Sequence, residues 1–214
     1  MEKIRLAVLD MDGTLLEERS SWAKLHRHFG TTEVGLEGFE QYERGLIDYD
    51  QFIEHDVAAW PPDTHISEID RILSDYTLKV DARKTVARLK KEMHVVMVSA
   101  GLDVLAKRVA DDLGIEHWMA NSLNTDPLGR LSGGGKGHVD PSRKELVFEE
   151  TLAKLSLTPK QAIAVGDSVY DLSILRAARV GFLMVEGDAP AVEKGIVPIR
   201  NLSEIFDHPV MRGY

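Results

Sequence analysis

Carboxylates and a lysine stand where short apolar segments of this sequence end or where the following helices begin. Asp10 and Asp12 follow the first apolar segment, and Asp167 and Asp171 follow a later one. Buried parallel strands produce such apolar segments, and open parallel sheets bind ligands at the carboxyl ends of their strands. An all-oxygen cluster suits a hard cation such as Mg²⁺. Asp10, Asp12 and Asp167 are therefore predicted to ligate one.

Transfer of a phosphoryl group is the chemistry that such a cluster supports. Asp10 is the candidate nucleophile, and Asp12 would protonate the leaving oxygen and later deprotonate the attacking water. Lys144 would supply a point positive charge, with Lys136 as its rival. Enzymes accelerate phosphomonoester hydrolysis by up to about 10²¹-fold, mainly through positioning and charge neutralisation. The sequence therefore predicts a phosphomonoester hydrolase that forms an aspartyl-phosphate.

Further polar groups are candidates for holding the phosphate. Gly13 would let the backbone turn close to it, where amide groups can donate. Ser99 would donate its hydroxyl, and the amides of Ala100 and Gly101 would join it at a helix N-terminus. Alternatively, Ser99 only caps that helix. Asp171 would orient the site from behind the ligands, either through a metal-bound water or as a structural hydrogen-bond acceptor.

Two patterns of apolar spacing divide the chain. Within residues 20–76 apolar side chains recur at helical spacing, which predicts a small helical bundle. After Leu78 amphipathic helices alternate with apolar strands, the pattern of a parallel sheet covered on both faces. The sequence therefore predicts an α/β core of residues 1–16 and 78–214 that carries a helical cap of residues 17–77.

One probable turn interrupts the alternation of helices and strands. The residues at 126–129, Asp-Pro-Leu-Gly, carry turn chemistry and predict a hairpin between residues 122–125 and 130–131. The glycines at 133, 134, 135 and 137 predict a mobile stretch after it. The predicted strands cover residues 4–9, 95–98, 117–119, 162–165, 181–185 and 196–199.

The composition disfavours several classes of function. The 26 Lys and Arg against 35 Asp and Glu give a net charge of −9, which disfavours nucleic acid and anionic membranes as partners. The chain has no cysteine, so disulfides, thiolate catalysis and zinc–thiolate sites are excluded. No segment approaches the ~18 apolar residues that span a bilayer. We expect a cytoplasmic protein that acts on a small phosphorylated metabolite, and its oligomeric state stays open.

The order of these motifs resembles a known family. The segment Asp10-x-Asp12-Gly-Thr-Leu, then Ser99, then Lys144 and then Gly-Asp167-x-x-x-Asp resemble the four motifs of the haloacid dehalogenase superfamily. The resemblance implies a Rossmann-like, doubly wound parallel sheet and a Mg²⁺-dependent reaction. Members with the second acid are phosphatases or phosphomutases. The helical insert resembles the small cap of the phosphoserine phosphatase-like branch.

The inserted helices depart from phosphoserine phosphatases. Those enzymes carry a cap glutamate close to the position of Arg19, a cap arginine within the segment at 52–56 and an asparagine at the position of Tyr170. These three differences disfavour phosphoserine as the substrate. Arg19, Arg44 and Tyr170 are the candidate contacts to the substrate.

Two other functions remain open. A phosphomutase or phosphotransferase would use the same aspartyl-phosphate, but it needs a cap that excludes water and positions an acceptor. A phospho-accepting module of the receiver type also clusters acids around Mg²⁺ beside a lysine. Receivers lack a helical insert after the first acidic loop, so this reading ranks below the other two.

Overall fold

Seven strands form one sheet in the computed structural model, which describes residues 2–187, 193, 195–212 and 214. The strands are β1 Leu6–Leu9, β2 His94–Leu102, β3 His117–Thr125, β4 Leu131–Lys136, β5 Ala162–Gly166, β6 Val180–Met184 and β7 Ile196–Ile199. Their order in the sheet is β4-β3-β2-β1-β5-β6-β7. All neighbours pair in parallel except β3 and β4, which are antiparallel. The predicted α/β sheet is confirmed, with an antiparallel hairpin at one edge.

Helices fill the connections between the strands. Four of them, α1 Ser21–Phe29, α2 Thr32–Glu43, α3 Tyr49–Ala59 and α4 Ile66–Leu73, follow β1; the others are α5 Ala82–Leu89, α6 Asp103–Leu113, α7 Lys144–Leu155 and α8 Leu172–Ala177. Ser20 caps α1 by accepting a hydrogen bond from the amide of Ala23, and Asp48 forms a capping box with Gln51 on α3. None of the described helices is long and apolar enough to cross a membrane.

Apolar side chains cover both faces of the sheet. Successive side chains of a strand point to opposite faces, so β1 serves two cores. Leu6 and Val8 belong to the cluster that contains Phe148 of α7, whereas Ala7 and Leu9 belong to the cluster that contains the buried side chains of α5 and α6. The sheet is therefore doubly wound, and β1 lies at its centre with its carboxyl end facing the predicted site.

The helices α1 to α4 are joined to the sheet by two kinds of contact. Leu16 and Leu78 form an antiparallel bridge where the chain leaves the sheet region and returns to it. Trp22 of α1 packs on Phe52 and Trp60, with ring centroids 5.9 and 6.0 Å apart, and its indole N–H donates to the carbonyl of Ala100 at 3.0 Å. The aromatic interior of the insert is therefore anchored at the end of β2.

The glycine-rich stretch after the hairpin is a strand, so the prediction of a mobile stretch at 133–137 is wrong. β4 pairs with β3 on one side and packs against α3 on the other. A Cβ atom at Gly135 would overlap the carbonyl oxygen of Ser122 and lie 2.8 Å from Cγ2 of Ile53. Gly135 is present because the backbone approaches its neighbours closely, and this close approach has no signature in the local sequence.

A substitution at Gly135 tests this close packing. We expect Gly135→Ala to lower the free energy of unfolding by about 1–3 kcal/mol, because the added methyl must push β4 away from β3 and α3. Ser132→Ala on the same strand, where the side chain is exposed, is the matched control. Urea unfolding monitored by tryptophan fluorescence measures both, and equal stabilities for the two variants would contradict the proposed role of Gly135.

Candidate active site

Lys144 joins carboxylates that arrive from two different strand ends. Asp10 follows β1, and Asp171 lies just before α8 in the segment after β5, while Lys144 is the first residue of α7. The Lys144 ammonium donates to Oδ1 of Asp10 at 2.8 Å and to Oδ1 of Asp171 at 2.6 Å. All three side chains are buried. Hydrogen bonds between an ammonium group and carboxylate groups are of the strong, charge-assisted kind.

Burial and charge act in opposite directions on this cluster. Burial alone would lower the pKa of Lys144, but the carboxylates of Asp10 and Asp171 outweigh it and hold that pKa above its usual range. Burial raises the pKa of Asp10 well above its usual range, against the lowering effect of Lys144. The rival Lys136 is exposed on β4. The geometry therefore favours Lys144 as the positive charge of the site.

Asp171 fixes the loop that follows β5. Its Oδ2 accepts hydrogen bonds from the amides of Asp167 and Ser168, both at 3.1 Å, and from the Ser168 hydroxyl at 2.9 Å. A Cβ atom at Gly166 would lie 2.6 Å from the same oxygen, so the glycine makes room for this carboxyl group. Asp171 thus positions both Lys144 and the loop, which fits the orienting role predicted for it.

Three carboxylates converge closely enough to hold a cation. Asp10, Asp167 and Asp171 each offer an oxygen, and these oxygens lie within 4.8 Å of one another. Burial, with the charge of Asp171, raises the pKa of Asp167 to about 6. An all-oxygen set of converging acids fits a hard divalent cation such as Mg²⁺, whose charge would favour their ionised forms.

The carboxylate of Asp12 lies outside this group of three. The converging side chains are therefore Asp10, Asp167 and Asp171, whereas the predicted set was Asp10, Asp12 and Asp167. The Oδ2 atom of Asp12 accepts hydrogen bonds from the amide of Ser21 at 2.9 Å and from the Ser21 hydroxyl at 2.8 Å. This residue opens α1, so the N-terminus of that helix draws the carboxylate towards it.

The environment of Asp12 suits a group that exchanges a proton. Burial raises its pKa, against the lowering effect of the two hydrogen bonds from Ser21. Its Oδ1 is buried and has no hydrogen-bond partner among the residues that the structure describes. A carboxyl group with a raised pKa and a free oxygen beside the predicted nucleophile has the properties of a general acid and base.

Gly13 allows the carboxyl group of Asp167 to approach the loop after β1. Its φ of +74° lies in the left-handed region, and a Cβ atom there would overlap the carboxyl group of Asp167. Its own amide donates to the carbonyl of Glu18 at 2.7 Å, so any amide that donates to a phosphate here belongs to another residue, and the prediction that Gly13 lets the loop turn close to the phosphate stays a prediction. The glycine is needed because two strand-end loops touch here.

The segment Ser99-Ala100-Gly101 lies in β2, so its predicted place at a helix N-terminus is wrong, and so is the alternative that Ser99 caps the helix. β2 continues through a register shift until Leu102 pairs with Asn121, and α6 begins only at Asp103. The Gly101 amide donates to the hydroxyl oxygen of Ser99 at 3.0 Å. Ser99 is nevertheless buried at the carboxyl end of the sheet.

A cavity of about 570 Å³ lies above these strand ends. Its floor contains the predicted site residues, and its walls come from α1, α2, α3 and the loop after β5. The predicted residues that line it are Asp10, Asp12, Arg19, Ser99, Ala100, Gly101, Lys144, Asp167 and Tyr170. The structure therefore brings most of the predicted site residues to one cavity that can hold a cation and a small anion together.

The three predicted substrate contacts differ in position. Arg19 lines the cavity while its guanidinium pairs with Glu186 at 3.1 Å. Tyr170 also lines it, and its hydroxyl donates to Glu43. Arg44 does not reach the cavity, because it lies exposed at the C-terminal end of α2 and pairs with Glu40. The prediction that Arg44 contacts substrate is therefore corrected.

Sequence reasoning missed the upper wall of the cavity. Tyr49, Phe52 and Asp56 line it from α3, together with Trp22 and His26 from α1. The three residues of α3 are spaced i, i+3 and i+7, so they share one face of the helix. A face that combines aromatic residues with an acid differs from an ordinary apolar stripe, and this signal was available in the sequence.

Comparison with known proteins agrees with this fold. A model of the haloacid dehalogenase-like hydrolase family matches residues 4–179. A phosphoserine phosphatase of Archaeoglobus fulgidus is 30% identical over 179 residues, which cover 83% of this chain and 51% of that protein. One of Methanocaldococcus jannaschii is 25% identical over 179 residues, 83% of each chain. The chain thus spans about half the length of the Archaeoglobus relative.

Solved structures share the architecture. A structure described as a phospho-aspartyl intermediate analogue of phosphoserine phosphatase superposes with a TM-score of 0.78, at 22% identity over 96% of this chain and 99% of that one. The chain belongs to the haloacid dehalogenase-like hydrolase family, which confirms the resemblance of its four motifs. At 22% identity the structural match supports the fold alone.

Thermal unfolding tests the cation site without relying on activity. We expect Mg²⁺ to raise the melting temperature, because a ligand that binds only the folded state stabilises it, by about 2.7 kcal/mol at 100 times its dissociation constant. Asp167→Asn should remove most of this increase, whereas Asp111→Asn, an exposed acid that pairs with Lys107 on α6, should keep it. Equal Mg²⁺ responses in the two variants would contradict a cation site at Asp167.

Proposed function

We propose that this chain is a phosphatase that hydrolyses small phosphomonoesters with the help of Mg²⁺, through an aspartyl-phosphate formed on Asp10. The observation that carries this proposal is the placement of Asp10 on the floor of the cavity, with Lys144 donating to one of its oxygens at 2.8 Å. An acid held this way is oriented as a nucleophile, and the ammonium beside it attracts an incoming phosphate.

In the first half of the reaction, a carboxylate oxygen of Asp10 attacks phosphorus, and the bond between phosphorus and the alcohol oxygen breaks. Asp12 gives its proton to that oxygen, so the alcohol leaves uncharged. Burial raises the pKa of Asp12, which favours the protonated form that this step needs. The Ser21 hydrogen bonds fix the direction of its carboxyl group.

In the second half, Asp12 removes a proton from a water molecule, and the resulting hydroxide attacks phosphorus. The bond between phosphorus and Asp10 breaks, which restores the carboxylate and releases inorganic phosphate. Asp12 regains its proton, so the cycle is balanced. A Mg²⁺ ion held by Asp10 and Asp167, and oriented through Asp171, would neutralise negative charge on the phosphate oxygens.

The remaining polar groups on the floor bind the phosphate. We assign this role to the hydroxyl of Ser99 and the ammonium of Lys144, which both line the cavity. Charge-assisted hydrogen bonds of this kind stabilise the negative charge on the phosphoryl oxygens during the transfer. The net charge of −9 means that Lys144 must act locally, against the field of the whole chain.

The helices α1 to α4 act as a cap in this proposal. Residues 17–77 form the cap and residues 1–16 and 78–214 form the core, with the Leu16–Leu78 bridge at the junction. The cap supplies the upper walls of the cavity and would enclose the alcohol part of the substrate. The cavity volume of about 570 Å³ fits a small metabolite.

Two substitutions in the full chain test the nucleophile and the acid. We expect Asp10→Asn to lower phosphate release from small phosphomonoesters by at least about 10³-fold, because an amide is not a nucleophile. Asp12→Asn should lower it by about 10²–10⁴-fold through loss of proton transfer. Asp111→Asn should keep wild-type turnover. Steady-state phosphate release in Mg²⁺ measures all three, and full turnover by Asp10→Asn would overturn the proposal.

A further inference from the structure

Two exposed apolar side chains stand at the opening of the cavity, one on the cap and one on the core. Leu36 of α2 is 65% exposed, and Val169, in the loop after β5, is 70% exposed. Both line the cavity. An isolated apolar side chain on a protein surface is ordinary, but several of them around one opening mark a surface that binds an apolar group.

Aromatic rings connect these two residues across the opening. Phe39 follows Leu36 by three positions on α2, so the two side chains share one face of the helix. Tyr170 directly follows Val169, and its ring packs edge-on against Phe39 with the centroids 5.6 Å apart. The cap and the core therefore contribute to one continuous surface, the apolar rim, which consists of Leu36, Phe39, Val169 and Tyr170.

The apolar lining continues from the rim towards the floor. Phe52 packs against Phe39 and Trp22 with ring centroids 5.7 and 5.9 Å apart, and all three line the cavity. The polar ends of Trp22 and of Tyr49, which also lines the cavity, are occupied because both donate to the carbonyl of Ala100. A group that enters the upper part of the cavity therefore meets aromatic carbon.

The charged groups in the upper part of the cavity have partners within the protein. Asp56 lies 2.9 Å from Nε2 of His26, and both of its oxygens are closed to solvent. Arg19 pairs with Glu186 at 3.1 Å, and both of these side chains are exposed. Among the residues that the structure describes, the walls above the floor thus offer a charged ligand no buried partner of opposite charge. A charge that is buried without such a partner is costly.

We propose that the upper part of the cavity and the apolar rim bind an uncharged apolar group, so that the substrates are phosphomonoesters of apolar alcohols. This inference rests on the proposed phosphatase function, because it places the phosphate against Asp10 and Lys144 on the floor of the same cavity. The alcohol part extends past the aromatic rings towards Leu36 and Val169. Each methylene group that is fully buried there tightens binding by up to about 4-fold.

A series of alkyl esters tests the proposal with the wild-type chain. Ethyl, butyl and hexyl phosphate share one reacting group and differ only in apolar length. We expect kcat/KM to rise by about 2- to 4-fold per added methylene group. 5-Aminopentyl phosphate, which replaces the end methyl group of hexyl phosphate by an ammonium group, should be at least about 10-fold poorer than hexyl phosphate. Equal values along the alkyl series, or a preference for 5-aminopentyl phosphate or O-phosphoserine over hexyl phosphate, would overturn the proposal.

A substitution in the rim tests where the alkyl chain lies. Leu36→Ser should lower kcat/KM for hexyl phosphate by about 3- to 10-fold, and it should change the value for ethyl phosphate by less than about 2-fold. Leu46→Ser is the matched control, because Leu46 belongs to the same cap and is 63% exposed but does not line the cavity. It should change neither value. An equal loss on both esters, or no loss on hexyl phosphate, in Leu36→Ser would contradict the role of the rim.

A second copy of the chain is the other occupant that an exposed apolar surface can take. Sedimentation of the wild-type chain and of Leu36→Ser distinguishes the two occupants. The same oligomeric state in both proteins supports the assignment of the rim to the substrate. A wild-type dimer that Leu36→Ser dissociates would overturn it.

Failure of the proposed function would look different. If none of the esters releases phosphate, the phosphatase assignment fails, and calorimetric binding of hexyl phosphate and 5-aminopentyl phosphate to the wild-type chain in Mg²⁺ then tests the apolar site. Tighter binding of hexyl phosphate, with a more negative heat-capacity change, would support recognition of an apolar group even without turnover. Equal binding of the two esters would overturn it.

Discussion

The ammonium group of Lys144, placed between two buried carboxylates, is the interaction on which the geometry of the site depends. It lies 2.8 Å from an oxygen of Asp10 and 2.6 Å from an oxygen of Asp171. Removing one partner of such a buried group typically costs about 3–5 kcal/mol, because the remaining charges are left without compensation. Lys144 therefore fixes the nucleophile and the loop after β5 relative to each other, and it makes this concentration of acids compatible with a folded protein.

A second interaction fixes the cap to this floor. The carbonyl of Ala100 accepts hydrogen bonds from Trp22 at 3.0 Å, from the Tyr49 hydroxyl at 2.9 Å and from the Asn121 side chain at 2.8 Å. These donors come from α1, α3 and β3. One backbone oxygen at the end of β2 thus joins two cap helices to the sheet, directly beside Ser99. This contact fixes the position of the aromatic upper wall of the cavity relative to its polar floor.

The sequence predicts the floor of the site well because its signals are local. Apolar strands buried on both faces leave continuous apolar segments, and the acids that follow them must meet at the carboxyl edge of a parallel sheet. Asp10 and Asp167 are brought together for this reason. Lys144 was a candidate beside Lys136, but its own helix gives no hint that its ammonium turns inward.

The parts that the sequence did not predict depend on contacts between distant segments. The extension of β2 through Ser99 depends on a register shift against β3, and the strand at Gly135 depends on its approach to α3. Asp12 leaves the carboxylate cluster because α1 presents Ser21 to it. The pairing of Asp56 with His26 depends on the contact between α3 and α1, which spacing along one helix cannot show.

Rapid acid quench followed by mass spectrometry of the proteolysed chain tests the central claim most directly. During turnover of a phosphomonoester in Mg²⁺, the account predicts a phosphoryl group on the peptide that contains Asp10, and more of it in Asp12→Asn if the second half of the reaction becomes slower. A phosphoryl group on any other residue, or substrate consumption without a phosphorylated peptide in either protein, would contradict Asp10 as the nucleophile.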